Sequence, residues 1–262
     1  MISTRAQKKY LRWLTRSSRF LGMVVISESL RQAYLEQFDS LLHEPDIMAI
    51  HDGIDLERFD DMPSKQEARD ELGLCQERFI AGYVGHLYPG RGVEQILELA
   101  IQLPETHFLF VGGAPSDIAE RKQQAENAGL NNVEFAGFVA NSELPTYYSA
   151  CDTLLMPYQH EVSVSGGGNT ASYMSPMKMF EYMATGRTII ASDLPVLREV
   201  LDESNAALCN PDDISDWRDA LLRAKTDLAW SEKLAVKSLG DVEKFTWKRR
   251  VSNILESMTV SA

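Results

Sequence analysis

The sequence predicts an α/β fold in which a Rossmann-like parallel sheet carries helices on both faces. Three observations point there. From Phe79 onward, apolar strand-like runs alternate with amphipathic helical stretches; the runs are apolar at nearly every position; and several of them end in glycine-rich turns. Near-continuous apolar runs belong to strands covered on both sides, whereas a half-exposed strand would alternate.

The elements follow in chain order. Residues 5–20 read as a helix with Tyr10, Leu11, Trp13, Leu14 and Phe20 among basic residues, leading into the strand "GMVVIS". Ser29 and Gln32 have capping-box spacing for a helix to about Leu42. "DIMAIHDGID" reads as a second strand running into a turn at Gly53, and "DDMPSKQEARDELGL" as a linker with a short helix. A strand "FIAGYVG" then passes through the turn "GHLYPGRG" into a helix whose Val93, Ile96, Leu97, Ala100 and Ile101 form one apolar stripe. "HFLFVGG" is a strand, followed by a helix to about Gly129; "VEFAGFV" is the next strand, and Asn141 is placed to cap the helix "SELPTYYSA". After the strand "TLLMPY" and a loop containing Gly166 to Gly168 comes "SPMKMFEYMATG", with Ser175 as helix cap, Pro176 in the first helical position and Gly186 as the stop. "TIIASD", a helix "LPVLREVL", a strand "AALCN" and further helices complete the chain. This divides the protein into a small piece (1–58), a linker with a short helix (59–77) and the sheet domain (78–262). Some 58 residues with two strands are too few for a second compact α/β domain.

With 262 residues, 44% hydrophobic and 24% charged, the chain has the composition of a globular protein with a sizeable core. The net charge of −12 excludes general nucleic-acid binding, which needs a basic surface. The first 20 residues are the exception, with Arg5, Lys8, Lys9, Arg12, Arg16 and Arg19 and no acid. Such an arm fits a solvated helix face, an anionic membrane surface or a second copy of the chain. Three widely spaced cysteines fit reduced thiols in a cytoplasmic protein, peripheral to the inner membrane face if the arm touches lipid. Five histidines without HxxxH or HExxH spacing point to no metal centre. The start lacks the apolar core of a signal peptide, and no apolar run approaches a membrane span.

In an open α/β sheet the ligand lies outside the carboxyl ends of the strands, where turns and helix N-termini meet. The helix at Ser175 offers an anion site through the free amides near Met177 and Lys178. Glu181 lies ~7.5 Å further along the axis at ~1.5 Å per residue, about a phosphate-to-sugar spacing. A nucleotide with its phosphates at the helix start and its ribose at Glu181 fits that geometry; a surface ion pair of Lys178 with Glu181 fits the spacing equally. In "GHLYPGRG" the glycines, Gly85 among them, permit close backbone approach, and Arg91 or His86 can donate to phosphate, although the turn is neither a Walker loop nor a GxGxxG fingerprint.

The series "GYVGHLYPGRGVE", "HFLFVGG", "VEFAGFV", "LPTYYSACDTLLMPY", "SPMKMFEYMATGRTIIASDLPVLREVL" and "FTWKRRVSNILE" resembles the nucleotide-sugar-binding C-terminal half of retaining GT-B glycosyltransferases of the group 1, or family 4, class. The resemblance covers about residues 48–262, and the opening residues are similar only to the end of that family's acceptor-binding domain. It implies that Arg91 and His86 bind the donor diphosphate, with His86 where the family commonly has Arg, and that Glu181 holds the ribose. The family's other motif glutamate would fall at position 173, which is Tyr; either Glu161, placed after Pro157, contacts the donor sugar or the sugar is held differently. Phe138 and Val139 would border the base. The implied function is transfer of a sugar from a nucleotide-diphosphate sugar to a hydroxyl of a glycan, lipid or small-molecule acceptor, with Arg91 and Lys178 stabilising the leaving diphosphate and no metal or other cofactor required. A nucleotide-sugar-binding module that needs a partner chain, and a flavodoxin-like regulatory domain, are the alternatives.

Overall fold

A computed structural model describes residues 5–163 and 169–260. The chain opens with helix α1 (Arg5–Thr15), strand β1 (Met23–Val25), helix α2 (Glu28–Gln37) and strand β2 (Ile47–Ala49), with β1 and β2 paired in parallel. After α3 (Lys65–Leu72) come β3 (Phe79–Val84), α4 (Val93–Gln102), β4 (Thr106–Val111), α5 (Pro115–Asn127), β5 (Val133–Gly137), α6 (Leu144–Ala150), β6 (Thr153–Met156), α7 (Met177–Ala184), β7 (Thr188–Ser192) and β8 (Ala207–Cys209). Helices α8 (Ile214–Thr226), α9 (Leu228–Asp241) and α10 (Trp247–Val260) complete the order. Among the described residues, no helix is long and apolar enough to cross a membrane.

Strands β3 to β8 form one parallel sheet in the order β5-β4-β3-β6-β7-β8. The order reverses between β3 and β6, the crevice position of doubly wound sheets. The period of two along each strand sends alternate side chains to different cores. Ile80, Val84, Leu109, Val111, Leu154, Met156 and Ile189 enter one cluster; Ala81, Tyr83, Phe108, Phe110, Leu155 and Ile190 enter the other. Burial on both faces is why these strands carry few polar residues.

Several local expectations are corrected. Helix α1 stops at Thr15, and α2 is capped by Ser27, whose hydroxyl accepts from the amide of Leu30; Ser29 instead donates to Glu199. A capping box does form in α3, between Ser64 and Glu67. Asn141 does not cap α6, which begins at Leu144 without a side-chain cap. "LPVLREVL" folds as consecutive turns in which amides reach back three or four residues by turns. The short helix expected between residues 59 and 77 forms as α3, and it carries Arg69, which is fully buried and donates to the carbonyls of Ala150, Gln76 and Arg78 and to the Asp152 carboxylate. Ile54 and Phe59, from the opening residues, belong to the core beneath α7.

Candidate functional site

The carboxyl ends of β3, β4 and β5 enclose a cavity of about 420 Å³ on the β3 side of the sheet's reversal point. Gly85 and His86 after β3, Gly112 and Gly113 after β4, and Phe138 and Val139 after β5 contribute its walls. A shift of register between Phe110 and Val111 sets the end of β5 off from β4, and the next residue, Phe138, is 85% exposed. That exposed ring forms part of the cavity wall.

Lys178 reaches this region from the first turn of α7. Its Nζ lies 4.0 Å from the ring centre of Tyr83 and 5.2 Å from that of Tyr158. Gly85 makes room for it: φ is +143°, and a Cβ there would stand 2.9 Å from Nζ. The ammonium is buried and has no hydrogen-bond partner among the described residues. Burial foremost, then the charge of Arg91, holds Lys178 well below the usual lysine pKa range, with Glu181 pulling the other way.

Arg91 completes the basic pair. Its Nη1 donates to the Tyr158 hydroxyl at 2.8 Å and its Cζ sits 5.1 Å from that ring centre, while Nε is buried without a partner among the described residues. The neighbouring Gly92, at φ +76°, lets the turn run flush against Pro157, whose carbonyl oxygen would stand 2.0 Å from an added Cβ. A buried ammonium without a hydrogen-bond partner, near a guanidinium satisfied only in part, is costly, and an anion facing both would offset that cost.

Glu181 sits on the next turn of α7. Its Oε1 accepts from Arg58 Nη1 at 3.2 Å and its Oε2 from the Tyr148 hydroxyl at 3.0 Å. Arg58 also donates to the carbonyl of Asn141, a cavity residue, at 3.2 Å. The pairing of Lys178 with Glu181 as a surface ion pair is therefore not what forms: each faces different partners. Tyr182 anchors α7 behind the site, its hydroxyl accepting from the amide of Val84 at 2.9 Å.

The remaining expected residues fall as follows. Ser175 is buried and its Oγ accepts from the amide of Asp52 at 3.4 Å, so the helix starts one residue later, with Pro176 in the cap position and Met177 exposed in the first turn. His86 is exposed and stacks on Tyr88, ring centres 4.8 Å apart. Glu161 is exposed, and its carbonyl abuts Gly90; like Arg91, Lys178 and Glu181, it does not line the cavity itself. Tyr173 offers its carbonyl to the Ser27 hydroxyl at 3.0 Å. Gly166 to Gly168 lie outside the described residues. Arg58, Tyr83 and Tyr148 escaped sequence reasoning, since nothing in "LERF", "FIAGYVG" or "YYSACD" marks them as neighbours of α7. Among the described residues, no cluster of three or more His, Cys, Asp or Glu could hold a metal ion.

Residues 78–227, which carry β3 to α8, match the family "Glycosyl transferases group 1". The chain belongs to the group 1 glycosyltransferases. It is 28% identical over 187 residues to an uncharacterized glycosyltransferase of Methanocaldococcus jannaschii, covering 68% of this chain and 42% of that protein. It is also 28% identical over 229 residues to the D-inositol 3-phosphate glycosyltransferase of Mycolicibacterium smegmatis, covering 82% of this chain and 48% of that one. The chain thus spans less than half the length of these curated relatives. The fold of Anabaena HepE, solved with UDP, is similar at a TM-score of 0.78 and 20% identity, over 97% of this chain and 68% of that one. This group 1 glycosyltransferase chain therefore shares the Rossmann-like half of the GT-B architecture, and its basic pair and Glu181 lie at the carboxyl rim of that half.

Proposed function

We propose that the chain binds a nucleotide-diphosphate sugar and acts as the donor-binding half of a retaining glycosyltransferase. The observation that carries the reading is Lys178 Nζ, a buried cation without a hydrogen-bond partner among the described residues, which lies against Gly85 of the cavity wall. The diphosphate sits against Arg91, Lys178 and the start of α7, the ribose against Glu181, and the base along Phe138 and Val139. The bond from the anomeric carbon to the diphosphate breaks with its electron pair going to the phosphate oxygen, where the two cations and the helix dipole meet the growing charge. The acceptor oxygen bonds to that carbon on the same face, and its proton leaves with the diphosphate. Stabilisation by fixed cations makes a metal ion unnecessary on this reading. The acceptor is a hydroxyl of a glycan, lipid or small molecule.

Calorimetric titration with UDP, GDP and their sugars tests the reading. Binding to the wild type that is lost in Arg91→Ala and Glu181→Ala supports it; no binding by the wild type overturns it.

A second reading, a nucleotide-sugar-binding module that transfers nothing without a partner chain, is favoured by the slight core of the opening residues. There, among the described residues, the buried cluster is Leu11, Phe38 and Leu42, with Phe20, Met23, Tyr34, Leu35 and Leu41 half-buried against it. Product formation by the isolated chain separates the two. The basic α1, with Tyr10 and Trp13 exposed, suits an anionic membrane surface on the cytoplasmic side or a second copy of the chain, and co-sedimentation with phosphatidylglycerol vesicles checks the former.

A further inference from the structure

We infer that Arg58 and Tyr148 are positioning residues that hold the Glu181 carboxylate ready for a ribose diol and so let the site discriminate ribonucleotides from 2′-deoxyribonucleotides. The inference rests on the reading that the cavity takes a nucleoside diphosphate. A free glutamate on a helix samples several rotamers, and fixing it at the moment of binding costs affinity. Here each carboxylate oxygen already accepts one hydrogen bond, from Arg58 Nη1 at 3.2 Å and from the Tyr148 hydroxyl at 3.0 Å. A carboxylate offers about four acceptor sites, so one remains on each oxygen, the pattern that two adjacent hydroxyl donors match.

The two donors are themselves anchored. Tyr148 is fully buried, its ring 5.8 Å from that of Tyr182 and 6.2 Å from that of Phe59. Arg58 lies 5.5 Å from the ring centre of Phe59, which is in the core, and its second amino group is bound to the carbonyl of Asn141 at the cavity wall. The fork of the guanidinium thus joins the carboxylate to the wall of the cavity, a geometry that lysine cannot reproduce with a single amine. Arg58 also neutralises Glu181, which would otherwise oppose a diphosphate approaching Lys178 and Arg91.

The test compares UDP with 2′-deoxy-UDP, and GDP with 2′-deoxy-GDP, by calorimetry on the full chain and on Tyr148→Phe, Arg58→Met, Arg58→Lys and Glu181→Gln. The wild type is expected to prefer the ribonucleotide roughly tenfold, the size of a hydrogen bond to a charged group. That preference should fall toward unity in Tyr148→Phe, Arg58→Met and Glu181→Gln and recover in part in Arg58→Lys. Tyr148→Phe keeps the buried ring and removes only the hydroxyl, so it reports even if the arginine variants fold poorly. A wild-type preference that survives in both Tyr148→Phe and Arg58→Met but vanishes in Glu181→Gln overturns the positioning role and leaves the nucleotide site standing. Equal binding of both sugars by the wild type overturns it too. Absence of any nucleotide binding overturns the nucleotide reading itself.

Discussion

On the proposed nucleotide reading, Lys178 is the residue at which stability and binding pull in opposite directions. A buried ammonium without a partner destabilises the ligand-free protein, and a facing anion reverses the effect. Lys178→Met should therefore raise the melting temperature of the ligand-free chain by a few degrees while weakening UDP at least about tenfold. The sign with pH follows. Because the folded pKa lies below the unfolded value, the unfolded chain binds more protons between the two. Stability of the ligand-free protein therefore climbs with pH through that window and levels off near the ordinary lysine value of about 10.4, a slope that Lys178→Met removes in pH-dependent denaturant melts. The spacing in "SPMKMFEYMATG" places Lys178 and Glu181 on neighbouring turns of one helix. It carries no information on Tyr83, Arg58 or Tyr148, which approach from other elements.

Helix ends show how tertiary contacts settle what local signals leave open. Ser29 and Gln32 have the spacing of a capping box, yet Ser27 caps α2, because Glu199 accepts from the amides of Glu28 and Ser29 and from the Ser29 hydroxyl. The same glutamate helps to keep residues 194–201 in turns, where Pro195 and the ion pair of Arg198 with Asp193 also act. At the far end, Asp241 closes α9 by accepting from Lys237, Lys244 and Asn205. Burial pushes its pKa up, but those donors outweigh burial and bring it down to about 2. A depressed carboxylate stabilises the fold above its unfolded value, near 4, and loses that contribution as pH falls toward 2. Asp241→Asn is expected to lower the melting temperature by a few degrees at pH 7 and to flatten its acid dependence between pH 4 and 2, read by calorimetric scans.

Across the whole molecule, two parallel sheets are tied together at the site's edge. Glu199, after β7, grips the start of α2 and faces His51 at 3.4 Å; the Ser27 hydroxyl donates to the Tyr173 carbonyl; Asp52 donates to Ser175; and Arg250 of α10 donates to the carbonyls of Ile50 and His51. The small sheet therefore bears on the segment leading into α7. Glu199→Ala should speed hydrogen exchange at the amides of Glu28 and Ser29 at least about tenfold, while exchange in β3 and β6 stays unchanged. Faster exchange throughout the large sheet would show that the two sheets unfold as one unit.

The amino-acid sequence by itself determined the parallel sheet, most of its elements, the rim that carries the candidate site and the helix that carries Lys178 and Glu181. All of these follow from periodicity and turn chemistry, which act over a few residues. Only the tertiary structure decided which donors hold Glu181, that Ser175 bonds to Asp52 and that the ammonium of Lys178 lies buried between two tyrosines. Those outcomes depend on side chains separated by up to 123 positions in the chain meeting in space, as Arg58 and Glu181 do, and no local pattern encodes such a meeting.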